Sequence, residues 1–489
     1  MTHKRQAKYL NHRGSLCFLN LQTKDKKALT LLSIFVILLI CIVILLKNIA
    51  DTLVVTSIGA ESLSFIKIFF VSPTLIMSVI IYKSAQAKRR KELNFYYFMI
   101  ANLFLTLLFT FLVVPNQDRL HPAPETIENL ILSYPALIIV LKSFGHWTNV
   151  IFYSLTMASV NALYALVFWQ ISNDIVVDKK SVFPILGLVS GFGLLFSGAI
   201  LNFLTLSTGS WIEFLRASGA ITAAILLTIV IVYNKIGLDL KRQSIFNLKK
   251  YRMTSADRKK SDTGLVQDVG FVLRKKSLLG SFSCAICLGF LYMFIEYAWK
   301  TEAKEVYPAP EQYAAFISQY TIFDGFVSLA LSLVAIFIIP RMKWLRAALS
   351  GQFFLLFFVL LFIGVYIAKN LNLFALAGSW LYSDLLLVWL GAAAFSFSTQ
   401  TQYNILTPLL KMCYAKMSKE METRGRAIID MLGKSASNLI GAALIQVGVI
   451  LFPEPQTAIL VFIPIYILFT VIRIGGLWLI NRALPMDDA

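Results

Sequence analysis

Apolar residues fall along this chain in long unbroken blocks, with polar and charged residues gathered between them rather than alternating at strand spacing. An apolar helix needs about 20 residues to cross the hydrocarbon core of a bilayer. Blocks of that size recur twelve times, over 28–49, 63–84, 93–115, 147–172, 183–206, 213–234, 278–299, 316–339, 345–367, 377–406, 429–452 and 457–480. A backbone in hydrocarbon must satisfy its own hydrogen bonds, so each block is expected to be a helix. The predicted class is therefore an all-α membrane protein with twelve transmembrane helices. The longest polar stretch, 235–277, divides the blocks six and six. The predicted organisation is a tail (1–27), an N-terminal six-helix half (28–234), a basic linker (235–277), a C-terminal six-helix half (278–481) and a short tail (482–489). Two such halves around a midplane site form a major-facilitator-like layout. After the third block, the apolar segment 134–141 is too short to cross and predicts an interfacial helix on the outer side.

Composition agrees with this pattern. Of 489 residues, 58% are hydrophobic and 15% charged, and the mean hydropathy is +0.72, values that exclude a soluble core. The net charge of +19 would suit a nucleic-acid partner if it lay on one face. Instead Lys and Arg crowd alternate loops: the N-terminal tail, 83–91, 179–180, 235–276, 341–346 and 411–426. This is the positive-inside pattern, with both termini cytoplasmic, and the basicity reports topology and an attraction to anionic membrane lipid. No nucleic acid is expected. The five cysteines lie in apolar blocks or on the cytoplasmic side, and Cys284-Ala-Ile-Cys287 sits inside an apolar block with no βαβ context, so packing is expected of it. Phosphate-loop, nucleophile-elbow and metal-ligand spacings are absent, so no enzyme, cofactor or metal is predicted.

Charge inside the blocks is more informative, because an ionisable group at a helix centre costs roughly 2.5–3.5 kcal/mol and is usually functional. The stretch Leu46–Phe70 holds Lys47, Asp51, Glu61 and Lys67. Lys47 and Asp51 are spaced i,i+4 on one face, reading either as a structural ion pair or as part of a solute-lined cavity. Asn161 in the fourth block is interhelical glue or a ligand. Gly187 and Gly191 at G-x-x-x-G spacing, with Gly193 and Gly198 beyond, predict a close-packing face on the fifth. In the seventh, Lys300 can neutralise Glu296 at i,i+4, with Trp299 marking the interface. Asp324 lies in the eighth, the polar strip Ser398–Asn404 ends the tenth, Asp430 and Lys434 open the eleventh, and Arg473 lies in the twelfth. Polar groups on so many helices predict a central polar cavity.

Several of these stretches together resemble one family. Asp51–Thr56 with Gly59-Ala-Glu61 and Phe65-Ile-Lys67 is similar to the first signature of the ATP/ADP translocase family of plastids and intracellular bacteria. The resemblance continues through Phe168-Trp169 with Asn173, Phe183–Gly198, Ile295-Glu296 with Trp299-Lys300, Pro308–Phe316, and Arg424–Arg426 with Asp430–Gln446. It implies twelve spans, a facilitator-like fold, and exchange or import of nucleotides such as ATP, ADP, other triphosphates or NAD across a bacterial inner membrane. The chain departs from the exchangers' charge set, however. Ala50 stands where they have Lys, Met157 where they have an acid, Thr399 and Gln402 where they have Lys, Thr407 where they have Asp, and Asn438 or Leu439 near another Lys. Among those charges, Glu296 is kept.

Lys47, Lys67 and Lys434 are the expected partners of anionic groups, and Glu296 the gating or proton-coupling acid, with Asp324 as its alternative. Asp51, Asn161, Gln402, Tyr403 and Asn438 complete the expected substrate-binding set, and Tyr153, Tyr297 and Tyr403 are candidates for stacking on a base. The expected protein is a monomeric nucleotide transporter, by exchange or with protons as coupling ion. The lost cations leave open a relative that carries a less charged, non-nucleotide metabolite, and a non-transporting scaffold is the remaining alternative.

Overall fold

The computed structural model describes residues 23–74, 91–163, 179–242, 265–338, 341–371, 384–418, 433–452 and 454–484, with Met421, Gly425 and Ile429 between. Helices occupy the described part of each of the twelve apolar blocks. In chain order they are α1 (Thr23–Ser57), α2 (Ser62–Ile66), α3 (Lys91–Leu108), α4 (Gln117–Leu120), α5 (Pro124–Ser133), α6 (Ile138–Gly145), α7 (Trp147–Ala162), α8 (Lys179–Ser207) and α9 (Trp211–Arg242). There follow α10 (Leu265–Arg274), α11 (Lys276–Val306), α12 (Pro310–Ile338), α13 (Trp344–Asn370), α14 (Asp384–Thr401), α15 (Thr407–Lys416), α16 (Lys434–Leu451) and α17 (Pro455–Ala483). Among the described residues, eight helical stretches are long and apolar enough to cross a membrane: those within α1, α8, α9, α11, α12, α13 and α17, and Phe95–Leu120, which runs from α3 to the end of α4. α1, at 35 residues, is about 50 Å long at 1.5 Å per residue, well over the hydrocarbon thickness of about 30 Å.

Helices widen into fully described π turns at Lys67–Val71 after α2, Phe109–Val113 after α3 and Gln402–Leu406 after α14. Such turns re-aim side chains and gather at functional sites. The first and last of these open on Lys67 and Gln402, residues the sequence had singled out.

Without a hydrophobic drive between helices in lipid, packing depends on small residues that admit close backbones. α8 lies along α12 in this way: a Cβ on Gly198 would stand 2.7 Å from the Ile322 amide nitrogen, and one on Gly191 2.8 Å from Leu329. Gly193 faces Ile37 and Ile40 of α1. Three of the four expected glycines thus pack closely, and the fourth, Gly187, meets only Asn404, at 3.8 Å. α11 is held against α16 and α17 by Gly289 beside Ser437 and Gly280 beside Gly476. In the bend between α1 and α2, Gly59 has φ +125°, a conformation that side-chain-bearing residues rarely adopt.

The 116–146 connection folds into α4, α5 and α6, with α6 covering part of the segment expected at the interface. It is tied to the start of α7 by Trp147 Nε1 donating to the Leu120 carbonyl (2.9 Å), Gln117 Nε2 donating to Asn149 Oδ1 (2.8 Å), and a 2.6 Å hydrogen bond between His121 Nε2 and Thr148 Oγ1. The His121 and His146 rings meet edge to face at 5.4 Å. Burial lowers the pKa of His121 below the ordinary 6.5, against a smaller opposing effect of Asp118. Burial, then the charge of His121, lowers that of His146. The unfolded chain therefore binds protons first as pH falls, and the stability these rings contribute is present above pH 6.5 and declines below it, levelling off once the folded-state rings titrate. Hydrogen exchange of residues 117–148 is expected to accelerate between pH 7 and 5 relative to α11, and the His121→Gln/His146→Gln pair should flatten that difference.

Candidate functional site

Four charged side chains from three helices form one chain of ion pairs. Glu296 and Lys300 are one turn apart on α11, so they share a face, and Lys300 Nζ lies 2.8 Å from Glu296 Oε1. The same ammonium reaches Asp51 Oδ2 on α1, at 2.8 Å. Glu296 Oε2 is in turn held at 2.7 Å by Lys67 Nζ, which also lies 3.5 Å from Met293 Sδ. Asp51, Glu296 and Lys300 are buried and Lys67 is half-buried. Two cations and two anions leave the group neutral. Each ion lost water on burial, a cost of several kcal/mol that only close mutual pairing offsets. The network is also loosely satisfied at one edge: two fully buried rings, Tyr153 and Tyr313, lie close to it, and among the described residues no partner comes within 3.5 Å of their hydroxyls or of Asp51 Oδ1 in hydrogen-bonding geometry, although Tyr153 stands next to Asp51. Beside it, Lys304 Nζ donates to the Thr56 carbonyl at 2.7 Å, and Ser64 Oγ donates to Gln446 Oε1 at 3.0 Å.

This geometry corrects one expectation and bears out another. The Glu296–Lys300 pair forms as its spacing implied. The Lys47–Asp51 pair does not. Asp51 turns to Lys300, because an i,i+4 pair is worth only about 0.2–0.5 kcal/mol whereas the buried Lys300 would be left facing a single carboxylate. Lys47, half-buried, stands with its Nζ 6.0 Å from the centre of the Phe395 ring, and no carboxylate lies within ion-pair distance of it among the described residues. Trp299, expected at the interface, is instead fully buried and packs on Tyr320 at 5.0 Å and Phe395 at 5.7 Å.

A second polar group surrounds Asp324 of α12. Ser396 Oγ donates to its Oδ1 at 2.6 Å, and Gln400 Nε2 donates to Oδ1 and Oδ2 at 3.0 and 2.9 Å. Asn404 Nδ2 donates to Gln400 Oε1 at 3.3 Å and to Ser328 Oγ at 3.3 Å. The polar strip at the end of α14 and in its π turn thus serves Asp324 of the facing helix. Lys47 lies near enough for its charge to act on both Asp324 and Glu296. Between the two groups Tyr292 packs edge-on against Phe395 at 5.1 Å. Tyr292 was not among the expected stacking residues, although it precedes Glu296 by one turn and so shares its face; that spacing was the available signal.

The other expected residues are scattered. Asn161 donates to the Met157 carbonyl of its own helix at 2.8 Å. Gln402 donates to Thr407 Oγ1 at 3.1 Å and accepts from Arg473, whose Nε and Nη1 find no partner although it is only 1% exposed. Tyr153 and Tyr297 are buried and Tyr403 is exposed. Asn438 is half-buried on α16. The Lys434 side chain, Asp430, and the Phe168-Trp169 motif with Asn173 lie outside the described residues. Cys284 and Cys287 are buried free thiols, in keeping with packing. Among the described residues no His, Cys, Asp and Glu cluster could hold a metal ion.

Comparison with known proteins places this arrangement. Two solved structures share the fold: that of the D-xylose-proton symporter, with a TM-score of 0.55 at 12% identity over 94% of this chain and 98% of that one, and the inward-open xylose transporter XylE from E. coli, with 0.51 at 11% identity over 94% and 96%. The chain is 27% identical to ADP,ATP carrier protein 3 of Rickettsia typhi and 28% identical to that of Rickettsia prowazekii, covering 94% of both chains in each case. It is 27% identical to ADP,ATP carrier protein 4 of Rickettsia conorii, over 86% of this chain and 84% of the relative. The family model described as TLC ATP/ADP transporter matches residues 9–483. Agreement over that range leaves none of the described helices outside the match, and the chain is a multi-pass membrane transporter that belongs to the TLC ATP/ADP transporter family.

Proposed function

We propose that this protein carries nucleotides across a bacterial inner membrane by alternating access, with twelve spans in two six-helix halves and both termini cytoplasmic. One observation carries the reading: the ion pairs Asp51–Lys300 and Lys67–Glu296 join α1 and the α2 segment to α11, that is, the first proposed half to the second. By the alternation of basic loops these residues lie toward the outer end of their helices, as do Lys304 and Thr56. A neutral, tightly paired network at that end closes the pathway there, and rearranging it opens the pathway. Every ion in it has its partner inside the protein, so it closes without substrate charge.

Deeper along α1, Lys47 is a cation left open to a phosphate, and the Tyr292–Phe395 surface offers an aromatic face to a base. The printed names of the Rickettsia relatives support a nucleotide as cargo. A second reading is favoured by one specific feature. Lys67 and Lys300 are both neutralised internally, which leaves few cations for a triphosphate of about four negative charges, so a less charged solute also fits. Uptake of a labelled panel of ATP, NAD, a nucleoside monophosphate and a nucleoside into cells expressing the protein, followed by counterflow in preloaded proteoliposomes, separates the two. Competition by phosphorylated members and not by the nucleoside is expected; a profile blind to phosphate would overturn the nucleotide reading.

A further inference from the structure

The buried carboxylates Asp51, Glu296 and Asp324 are not equivalent. Asp51 and Glu296 each hold a lysine ammonium at 2.7–2.8 Å. Asp324, 7% exposed, holds none: its partners are the hydroxyl of Ser396 and the amide of Gln400, and no Lys or Arg nitrogen lies within ion-pair distance among the described residues. A lone buried carboxylate supported only by neutral donors is costly as an anion and can shed that cost by taking a proton. Ser396 fits both forms, because its hydroxyl can rotate from donor to acceptor. By contrast, protonating Glu296 would strand Lys67 and leave Lys300 with Asp51 alone.

The charged and titratable groups that face Asp324 are few. α1 contributes Lys47, α11 contributes Tyr292 with Glu296 beyond it, and Tyr320 lies on α12 itself. α14 and its π turn present Ser396, Gln400 and Asn404, with Tyr403 near Tyr292. The side chains of α8 between Leu186 and Ser207 include no titratable group. The four-residue network is neutral. Of the remaining pair, Lys47 carries +1 and an ionised Asp324 carries −1, so a proton on Asp324 leaves the site with a net +1. A site of that charge binds an anion better, and by reciprocity an anion bound there raises its affinity for the proton.

We propose that Asp324 takes up one proton with each substrate anion and gives it up after the site turns to the other side, so that a proton gradient drives accumulation. This inference rests on the nucleotide reading above. An O–H bond forms at a carboxylate oxygen of Asp324 with a proton from water on the loading side, and breaks toward water on the release side; no electrons are transferred. The net +1 then explains how Lys47 can suffice for an anion.

The full chain reconstituted in proteoliposomes, with the labelled nucleotide panel, tests this. An external pH one unit below the internal pH should drive roughly tenfold accumulation for one proton per cycle, and the half-saturating nucleotide concentration in counterflow should fall as pH falls. Asp324→Asn, an imitation of the protonated acid, is expected to keep counterflow, to show the low half-saturation at every pH, and to lose gradient-driven accumulation. Asp324→Glu should retain it, and serves as the test if the Asn variant does not fold. Accumulation by Asp324→Asn, loss of its counterflow in a folded protein, wild-type uptake indifferent to the gradient, or gradient-blind uptake by Asp324→Glu would each overturn the inference while leaving the nucleotide reading in place. Absence of nucleotide counterflow in the wild type would overturn both.

Discussion

Lys300→Met is expected to abolish transport and to destabilise the folded protein by about 3–5 kcal/mol, the usual cost of stranding a buried charge. Lys300 is the only member of the network that touches two carboxylates, Asp51 and Glu296, each at 2.8 Å. Methionine keeps an unbranched apolar stem one atom short of the ammonium, so the loss reports mainly charge rather than a large cavity. Without the ammonium, Glu296 keeps Lys67 but Asp51 keeps no cation in place. Lys47, one turn earlier on α1, is the nearest replacement and sets the lower end of the range. The decisive comparison is the double variant Lys300→Met/Asp51→Asn, which restores neutrality. It should recover most of the melting temperature in detergent without recovering uptake, because the ion pair that joins α1 to α11 is still gone. Wild-type uptake by Lys300→Met, or a double variant no more stable than the single one, would remove the network from the mechanism.

How far this arrangement could be read in the sequence depends on the range of each interaction. Helix positions follow from the length of apolar runs, a local property, and the described helices fall where those runs are. Glu296 and Lys300 sit four apart in sequence, so their pairing followed from helix geometry alone. The same rule misled at Lys47 and Asp51, since spacing shows which residues are able to meet but not which stronger partner competes. The partner of Asp51 lies 249 residues away and that of Lys67 229; only the packing of α11 against the first two helices selects them. The polar strip at Ser398–Asn404 was visible as an anomaly, and Asp324 as another, but nothing in either stretch indicated that they face each other across 76 residues. Trp299 was misplaced because an aromatic at the end of an apolar run resembles an interfacial anchor until neighbouring helices are known to bury it.

Gly198→Val tests whether the contact between the proposed halves moves. A Cβ at this position would lie 2.7 Å from the Ile322 amide nitrogen and 3.0 Å from the Ser318 carbonyl oxygen. Both are helix backbone atoms, which cannot swing aside as a side chain can, so valine must push α8 away from α12 at a cost of about 1–3 kcal/mol. If the two helices belong to one rigid unit, that cost falls on stability. If they belong to halves that part during the cycle, a state with the helices separated relieves the clash, and the cost appears as a shift of population, roughly 5–150-fold for that energy. The second outcome is expected: a protein folded and extractable like the wild type, with uptake slowed by one to two orders of magnitude. Two further glycines calibrate the result. Gly289, whose Cβ would meet the Ser437 carbonyl oxygen at 2.1 Å, joins α11 to α16 inside one proposed half, so Gly289→Val has no open state to escape into and should lose folded protein outright. Gly364 has nothing within 4 Å of the added atom, and Gly364→Val should match the wild type in both assays. A Gly198→Val protein that unfolds as Gly289→Val does would show the α8–α12 contact to be fixed. One that transports as well as Gly364→Val would show it to be loose. Slowed transport in an intact protein is the signature of an interface that must close tightly in one state and open in another, which is what the small residues along α8 permit.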